Sequence, residues 1–199
     1  RDVMPYCDVI DETAKAIGSV NTLVRRGDGK LYAWNTDAAG FRWMAERAGI
    51  RIDGKKVVIL GSGGASLTAQ TVCRAMGVRE VIVVSRSGEH NYENLSRYAD
   101  AEILVNTTPV GMYPAVGVSP VDLTVFPNCE GVLDVIYNPR RTALLLQAEE
   151  LGIGSCWVGY FNAYEVSAAL DLPEQVTVSA LLPIGYAADT ALPAPMHTQ

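Results

Sequence analysis

The chain has 199 residues, of which 49% are hydrophobic and 19% charged, and its formal net charge is −6. This length and balance suit a folded globular protein with a sizeable core and exclude a disordered chain. The negative charge, without a basic stripe, argues against nucleic-acid binding, and no apolar run approaches the roughly 20 residues of a transmembrane helix.

The first part of the chain predicts a small mixed unit of helices and strands. Helical spacing runs from Asp8 to Ile17 and ends at Gly18, a residue type that often terminates helices. The runs VNTLVRR and LYAWNTD, separated by GDG, predict two short strands around a tight turn. The next run, DAAGFRWMAERAGI, is amphipathic and carries Asp37 near its start, where a carboxylate suits the helix dipole.

Beyond residue 54, short apolar strands alternate with helical segments. Strands are predicted at KVVIL, VIVVS, ILVNT and GVLDVIY, and the last helix of this part spans Thr142 to Leu151. The run KVVIL, which is bounded by glycines, is typical of a strand that is buried on both faces. The alternation of these strands with helices predicts an α/β fold built on a parallel sheet with right-handed crossovers.

The four cysteines, Cys7, Cys73, Cys129 and Cys156, are scattered, and none belongs to a CxxC pair. This spacing favours reduced thiols in a cytoplasmic protein and predicts no metal site. The sequence shows no secretory leader and opens on Arg1 instead of a methionine. We therefore expect it to begin within a longer sequence.

A glycine-rich turn joins the first strand of the predicted sheet to its helix. Gly61, Gly63 and Gly64 follow KVVIL directly, and Ser66 occupies the third small position of the usual fingerprint. Small residues let the backbone approach a pyrophosphate, and the helix N-terminus offers unpaired N–H groups and a favourable dipole. The turn predicts a dinucleotide site, and an ordinary strand-to-helix turn is the alternative.

The residues at the end of the next strand indicate which dinucleotide the chain is expected to bind. An NAD site usually has Asp or Glu there to bind the ribose hydroxyls, whereas this chain has Ser85, Arg86 and Ser87. An arginine between two hydroxyls suits the additional 2′-phosphate of NADP, which a carboxylate would repel. NADP is the expected cofactor, and a solvated surface charge is the alternative for Arg86.

Six motifs, in this order, make the chain resemble shikimate dehydrogenases: GSVNT, NTDAAGF, VILGSGGAS, SRS, VNTTPVGM and DVIYNPRRTALL. The resemblance runs from Arg1 to about Ile153. It implies a two-domain enzyme with a Rossmann-type nucleotide-binding domain. Such an enzyme reduces 3-dehydroshikimate to shikimate with NADPH in aromatic amino-acid (chorismate) biosynthesis, and a homo-oligomer is left open.

The resemblance also implies roles for individual residues. Asn21 and Asp37 would contact the ring hydroxyls of shikimate, and Tyr137 would line the cleft between the domains. Asp37 would also take part in proton transfer, since a lysine–aspartate pair suits the proton that accompanies hydride transfer. The implied cofactor-binding residues are Gly61, Ser62, Gly63, Gly64, Ala65, Ser85, Arg86, Ser87, Asn106, Thr107, Thr108, Val110 and Met112. The plain alternatives are a turn for Asn21, a helix cap for Asp37 and core packing for Tyr137.

The chain departs from the family at its start. Counting back from the CD motif would place the catalytic lysine of the family immediately before Arg1, and Lys15, Lys30, Lys55 and Lys56 match no motif that replaces it. We therefore expect the chain as given to lack the proton-transfer lysine. Shikimate oxidation is then expected only after upstream residues are restored.

A second departure lies at the other end. From about residue 148 to 189 the sequence resembles the end of FMN-dependent nitroreductases, with GSCW and ALLPIGY in matching order. The tail lacks basic residues for a flavin phosphate, so FMN binding by this chain alone is not expected.

The expected domains are a remnant of the α/β shikimate-binding domain (1–36), an NADP-binding Rossmann domain (37–152) and a non-family α/β tail (153–199). Three functions remain open on the sequence. The first is a shikimate dehydrogenase, the second is a catalytically dead NADP-binding module, and the third is half of a flavin site shared with a partner chain.

Overall fold

The computed structural model describes residues 2–156, and most of the predicted nitroreductase-like tail lies outside them. The strands are β1 (Val9–Ile10), β2 (Thr22–Arg25), β3 (Leu31–Trp34), β4 (Lys56–Leu60), β5 (Glu80–Val84), β6 (Ile103–Asn106), β7 (Gly131–Asp134) and β8 (Gly154–Cys156). The helices are α1 (Glu12–Ile17), α2 (Asp37–Arg47), α3 (Gly64–Ala75) and α4 (Ala143–Glu150), with 3₁₀ helices at Met4–Tyr6, Tyr92–Tyr98 and Leu123–Val125. Within the described residues no helix combines the length and apolar character needed to cross a membrane.

The N-terminal part forms a three-stranded sheet in the order β1-β3-β2. Strands β2 and β3 pair antiparallel, which confirms the predicted hairpin. The prediction of a helix from Asp8 is wrong at its start, because Val9 and Ile10 form β1 and pair parallel with β3. Helix α1 begins only after Asp11, whose carboxylate accepts a hydrogen bond from the N–H of Thr13 at 2.9 Å and so fixes the helix start.

The second sheet has five parallel strands in the order β5-β4-β6-β7-β8. Every residue of β4 is buried, which confirms the prediction that KVVIL is covered on both faces, and every residue of β6 and β7 is buried as well. From β4 the chain moves outward to β5 and then crosses to β6 on the other side of β4. A topological switch point therefore lies at the carboxyl ends of β4 and β6, where open α/β sheets bind ligands.

The side chains of alternate β4 residues pack into two hydrophobic cores, one on each face of the sheet. Val57 and Ile59 pack with α2 and α3 on one face of the sheet, whereas Val58 and Leu60 pack with α4 on the other. Helix α2 also packs directly on α3. The helix that leaves the small sheet is thus part of the core of the large one, and this shared helix brings the two sheets together.

Ion pairs gather at the amino end of the large sheet. Glu102 accepts hydrogen bonds from the backbone N–H of Lys56 at 2.9 Å, from Nζ of Lys55 at 3.1 Å and from Arg79 at 2.9 Å. These partners, led by the Lys56 N–H, hold the pKa of the Glu102 carboxyl below its ordinary value. The cluster lies at the edge opposite the switch point, so its contribution is to stability.

Candidate active site

The glycine-rich turn after β4 has room for a phosphate. Gly61 has a φ of +104°, and a Cβ there would lie 2.8 Å from Oγ1 of Thr107, so only glycine fits. Gly63 is the N-cap of α3 and supplies no side-chain cap, and a Cβ there would meet nothing within 4 Å. The first N–H groups of α3 therefore face open space, which fits the pyrophosphate of a dinucleotide. Ser62 and Ala65 are exposed beside them, and Ser66 is buried as the close-packing third position requires.

Arg86 lies at the carboxyl end of β5, on the same edge of the sheet as the glycine turn, because β4 and β5 are parallel neighbours. The loop that carries Arg86 is closed by a hydrogen bond from the N–H of Ser85 to the carbonyl of His90 at 3.0 Å. Arg86 and Ser87 are exposed. Arg86 forms no ion pair with another of the described residues, so within residues 2–156 no carboxylate neutralises its charge.

The residues after β6 are held by internal partners. Asn106 is fully buried, and its Oδ1 accepts hydrogen bonds from the N–H and the hydroxyl of Thr108 at 3.0 and 2.7 Å. Thr107 donates its N–H and its hydroxyl to the carbonyl of Leu60, at 2.9 and 2.6 Å. Both side chains therefore shape the loop beside the glycine turn, while Val110 is exposed and Met112 is half-buried further along it.

Asn21 and Asp37 lie together beside Thr36, where β3 leads into α2. Oδ1 of Asn21 accepts hydrogen bonds from the N–H of Thr36 at 3.0 Å and from its hydroxyl at 3.2 Å, and the Asn21 side chain also hydrogen-bonds Asp37. Partial withdrawal from water raises the pKa of the Asp37 carboxyl, and the bond from Asn21 opposes that rise. The N-cap of α2 is Thr36 and not Asp37. The helix-cap alternative for Asp37 is therefore wrong, whereas Asn21 does organise the turn and still contacts Asp37.

Tyr137 stands on the loop after β7 with 62% of its surface exposed, so the alternative that it packs in the core is wrong. Its loop is joined to the loop after β6 by a hydrogen bond from the N–H of Tyr113 to the carbonyl of Asn138 at 2.9 Å. Tyr113 is exposed as well. Two aromatic side chains thus stand exposed at the carboxyl edge of the sheet.

Two buried polar residues, Asn35 after β3 and Asp134 at the end of β7, were missed by sequence reasoning. Asn35 donates from Nδ2 to the carbonyl of Ser19 at 3.1 Å and to Oγ1 of Thr68 at 3.4 Å, so it links β3 to α3. Its Oδ1 is buried and has no partner within residues 2–156. Asp134 is buried at the end of β7 and hydrogen-bonds Asn106. The available signal was a polar residue inside, or directly after, an otherwise apolar strand.

Comparison with known proteins finds shikimate dehydrogenases that match about three quarters of the chain. The shikimate dehydrogenase (NADP(+)) of Clostridium beijerinckii is 38% identical over 157 residues, which is 73% of this chain and 57% of the relative. The crystal structure of shikimate dehydrogenase 1 from Peptoclostridium difficile matches with a TM-score of 0.71 and 38% identity over 78% of this chain and 61% of that one. The enzyme from Thermus thermophilus in complex with NADP(H) and shikimate matches with a TM-score of 0.68 and 28% identity, covering 77% and 61%.

These similarities confirm the resemblance drawn from the six motifs, and they confirm the Rossmann-type parallel sheet. The names of the relatives agree with the expected NADP cofactor. The chain spans about three fifths of the length of these relatives.

The end of the chain matches a different protein family. A model of the Nitroreductase family matches residues 142–186, which confirms the predicted resemblance of the tail. This match begins inside the described part, where β8 pairs with β7 at the edge of the large sheet and α4 packs against both strands. The two resemblances therefore overlap at α4.

Proposed function

We propose that this chain carries the NADP-binding domain and part of the shikimate-binding face of a shikimate dehydrogenase. Its reaction would be the reduction of 3-dehydroshikimate to shikimate. We keep the domain division at residues 36 and 152 as part of this proposal, although β8 extends the large sheet to Cys156.

The observation that carries the proposal is the pairing of two features on neighbouring parallel strands. The glycine turn after β4 opens the N-terminus of α3 to a phosphate, and Arg86 stands without an ion-pair partner among residues 2–156 at the end of β5. A pyrophosphate at the helix and a 2′-phosphate at the arginine account for both features.

Each half of the dinucleotide has residues to hold it. The pyrophosphate would lie on the N–H groups at the start of α3, and Ser85, Arg86 and Ser87 would bind the adenosine phosphate. The loop of Thr107, Thr108, Val110 and Met112 would face the other half, because it lies next to the glycine turn on the β6 side. When bound, NADPH supplies the hydride that reduces the ketone carbon.

Asp37 and Asn21 would bind the ring hydroxyls of the substrate. The carboxylate of Asp37 accepts hydrogen bonds from hydroxyls, and the amide of Asn21 is held in place by Thr36. The raised pKa of Asp37 brings its carboxyl closer to sharing a proton near the reacting group. Tyr137 is exposed at the same edge of the large sheet and would close the substrate site from that side.

Calorimetric titration of shikimate into the protein saturated with NADP tests this assignment. Asp37→Asn should weaken shikimate binding by about 10- to 100-fold, since a charge-assisted hydrogen bond is lost. Asp100→Asn is the matched control, because it removes a carboxylate at the opposite edge of the sheet. Unchanged shikimate affinity in Asp37→Asn, or no shikimate binding by the wild type with NADP present, would contradict the proposal.

The Nitroreductase match favours a second candidate, half of an FMN site that is completed by a partner chain. This candidate predicts a yellow protein whose melting temperature rises with FMN and does not respond to NADP. Absorbance at the flavin band of the purified protein distinguishes the two candidates directly.

A further inference from the structure

A buried carboxylate lies under the loops at the carboxyl ends of β6 and β7. Asp134 is 1% exposed. Its Oδ1 accepts hydrogen bonds from Nδ2 of Asn106 at 3.1 Å and from the N–H of Ile136 at 3.0 Å. Its Oδ2 accepts from the hydroxyl of Thr142 at 2.7 Å. Asp134 thereby joins three segments: the loop after β6, the loop that leads to Tyr137, and the start of α4.

The contacts of Asp134 are those of an ionised carboxylate. All three partners are donors, and Oδ1 of Asn106 is already occupied by Thr108. The Thr142 hydroxyl accepts a hydrogen bond from the N–H of Leu145 and directs its own proton to Asp134. Burial raises the pKa of Asp134, and these three donors oppose the rise.

No lysine or arginine among residues 2–156 forms an ion pair with Asp134. A buried charge that has donors but no counter-charge is costly, and a cation placed near it would be stabilised. Within residues 2–156 the negative charge of Asp134 therefore has no basic partner, and it lies at the carboxyl edge of the sheet, where the dinucleotide is proposed to bind.

The topology places this charge under one half of the proposed dinucleotide. Arg86 marks the adenosine phosphate at the end of β5, and the start of α3 after β4 marks the pyrophosphate. A ligand that crosses the switch point from β5 and β4 continues over β6 and β7. Asn106 and Asp134 end those two strands, so the nicotinamide half would lie on the side of Asp134. The oxidised nicotinamide ring carries a positive charge, and the reduced ring carries none.

We propose that Asp134 is a positioning residue that holds the loops after β6 and β7 together and biases the site toward oxidised NADP⁺ over NADPH. The proposal rests on the proposed NADP site. It goes beyond that site because it concerns the redox state of the bound dinucleotide, which a residue with a merely structural role would leave unchanged.

The experiment determines the ratio of the NADPH and NADP⁺ dissociation constants. NADPH binding is measured by its fluorescence, and NADP⁺ binding by competition with NADPH. Asp134→Asn removes the charge with little change of shape, and Asp134→Ser removes it while leaving space for a water molecule. Thr142→Val is the matched control, because it breaks one hydrogen bond of the same cluster and keeps the charge.

In both Asp134 variants the binding of NADP⁺ should weaken by about three- to tenfold relative to that of NADPH. Thr142→Val should keep the wild-type ratio of the two dissociation constants. An unchanged ratio in a folded Asp134 variant, or the same change in Thr142→Val, would overturn the inference and leave the NADP site standing. Failure of the wild type to bind either form would overturn the proposed NADP site itself.

Discussion

The side-chain oxygen of Asn21 accepts a hydrogen bond from the backbone N–H of Thr36 at 3.0 Å. This contact fixes which end of the amide faces Asp37, the residue that follows Thr36 and begins α2. An amide held in this way can only donate to the Asp37 carboxylate. The pair is thus arranged before any substrate arrives, and reorganisation on binding is correspondingly small.

Asn21→Ala should raise the pKa of Asp37 further. The hydrogen bond from Asn21 opposes the rise that desolvation causes, so its removal leaves desolvation alone. Because the folded-state pKa of Asp37 is raised, its contribution to stability is present at low pH and is lost as pH rises through the folded pKa. Carboxyl NMR titration of the two proteins measures the shift. An unchanged or lower pKa in the variant would show that Asn21 does not act on Asp37.

Gly61→Ala should destabilise the fold by about 1–3 kcal/mol. The residue has a φ of +104°, and the new methyl group would lie 2.8 Å from Oγ1 of Thr107. Gly63→Ala is the matched control, since the backbone there is extended and the surrounding space is open. That variant should keep the wild-type melting temperature and lose NADP affinity, because the methyl group occupies the phosphate cradle. Equal melting temperatures for all three proteins would argue against the observed turn geometry.

Arg86→Gln should weaken NADP binding by about 10- to 100-fold, the size of a lost charge-assisted hydrogen bond to phosphate. NAD binding should change little, since NAD has no 2′-phosphate. Arg51→Gln removes an exposed arginine that precedes β4 and serves as the control. Calorimetry with both dinucleotides makes the comparison. Unchanged NADP affinity in Arg86→Gln would assign Arg86 to the solvated-charge alternative, and parallel losses for NADP and NAD would contradict a contact with the 2′-phosphate.

Glu102→Gln should lower the melting temperature near neutral pH and have less effect as the medium becomes acidic. Its partners lower the folded-state pKa of Glu102, so the contribution is present above the unfolded pKa and is lost as pH falls through the folded value. Glu149→Gln, which breaks the exposed ion pair with Arg141, should change the melting temperature little at any pH. Melting curves from pH 3 to about 8 test both. A pH-independent effect of Glu102→Gln would contradict the ion-pair account.

The large sheet and the glycine turn could be predicted because each depends on local sequence. An apolar run bounded by glycines specifies a buried strand, and the turn after β4 is defined by three glycines in a span of four residues. Strand β1 could not be predicted, because Val9 and Ile10 are extended only through pairing with β3. The Asp8 carboxylate supports that pairing by accepting the N–H of Leu31, which is 23 residues away.

Asn35 and Asp134 could not be predicted for a similar reason, because their hydrogen-bond partners lie far away in the sequence. Asn35 reaches Thr68, and Asn106 reaches Asp134, across separations of 33 and 28 residues. A single polar residue at the end of an apolar strand indicates that a partner must exist, since an unpaired buried polar group is costly. It does not indicate which residue the partner is. That information comes only from the order of the strands.

The most direct test of the account is a thermal-melt panel of the purified chain with NADP, NAD and FMN. A ligand at 100 times its dissociation constant adds about 2.7 kcal/mol, which for a chain of this size raises the melting temperature by about 5–10 °C. The NADP site predicts such a shift with NADP and little or none with NAD or FMN. A shift with FMN alone, or no shift with NADP at saturating concentration, would contradict it.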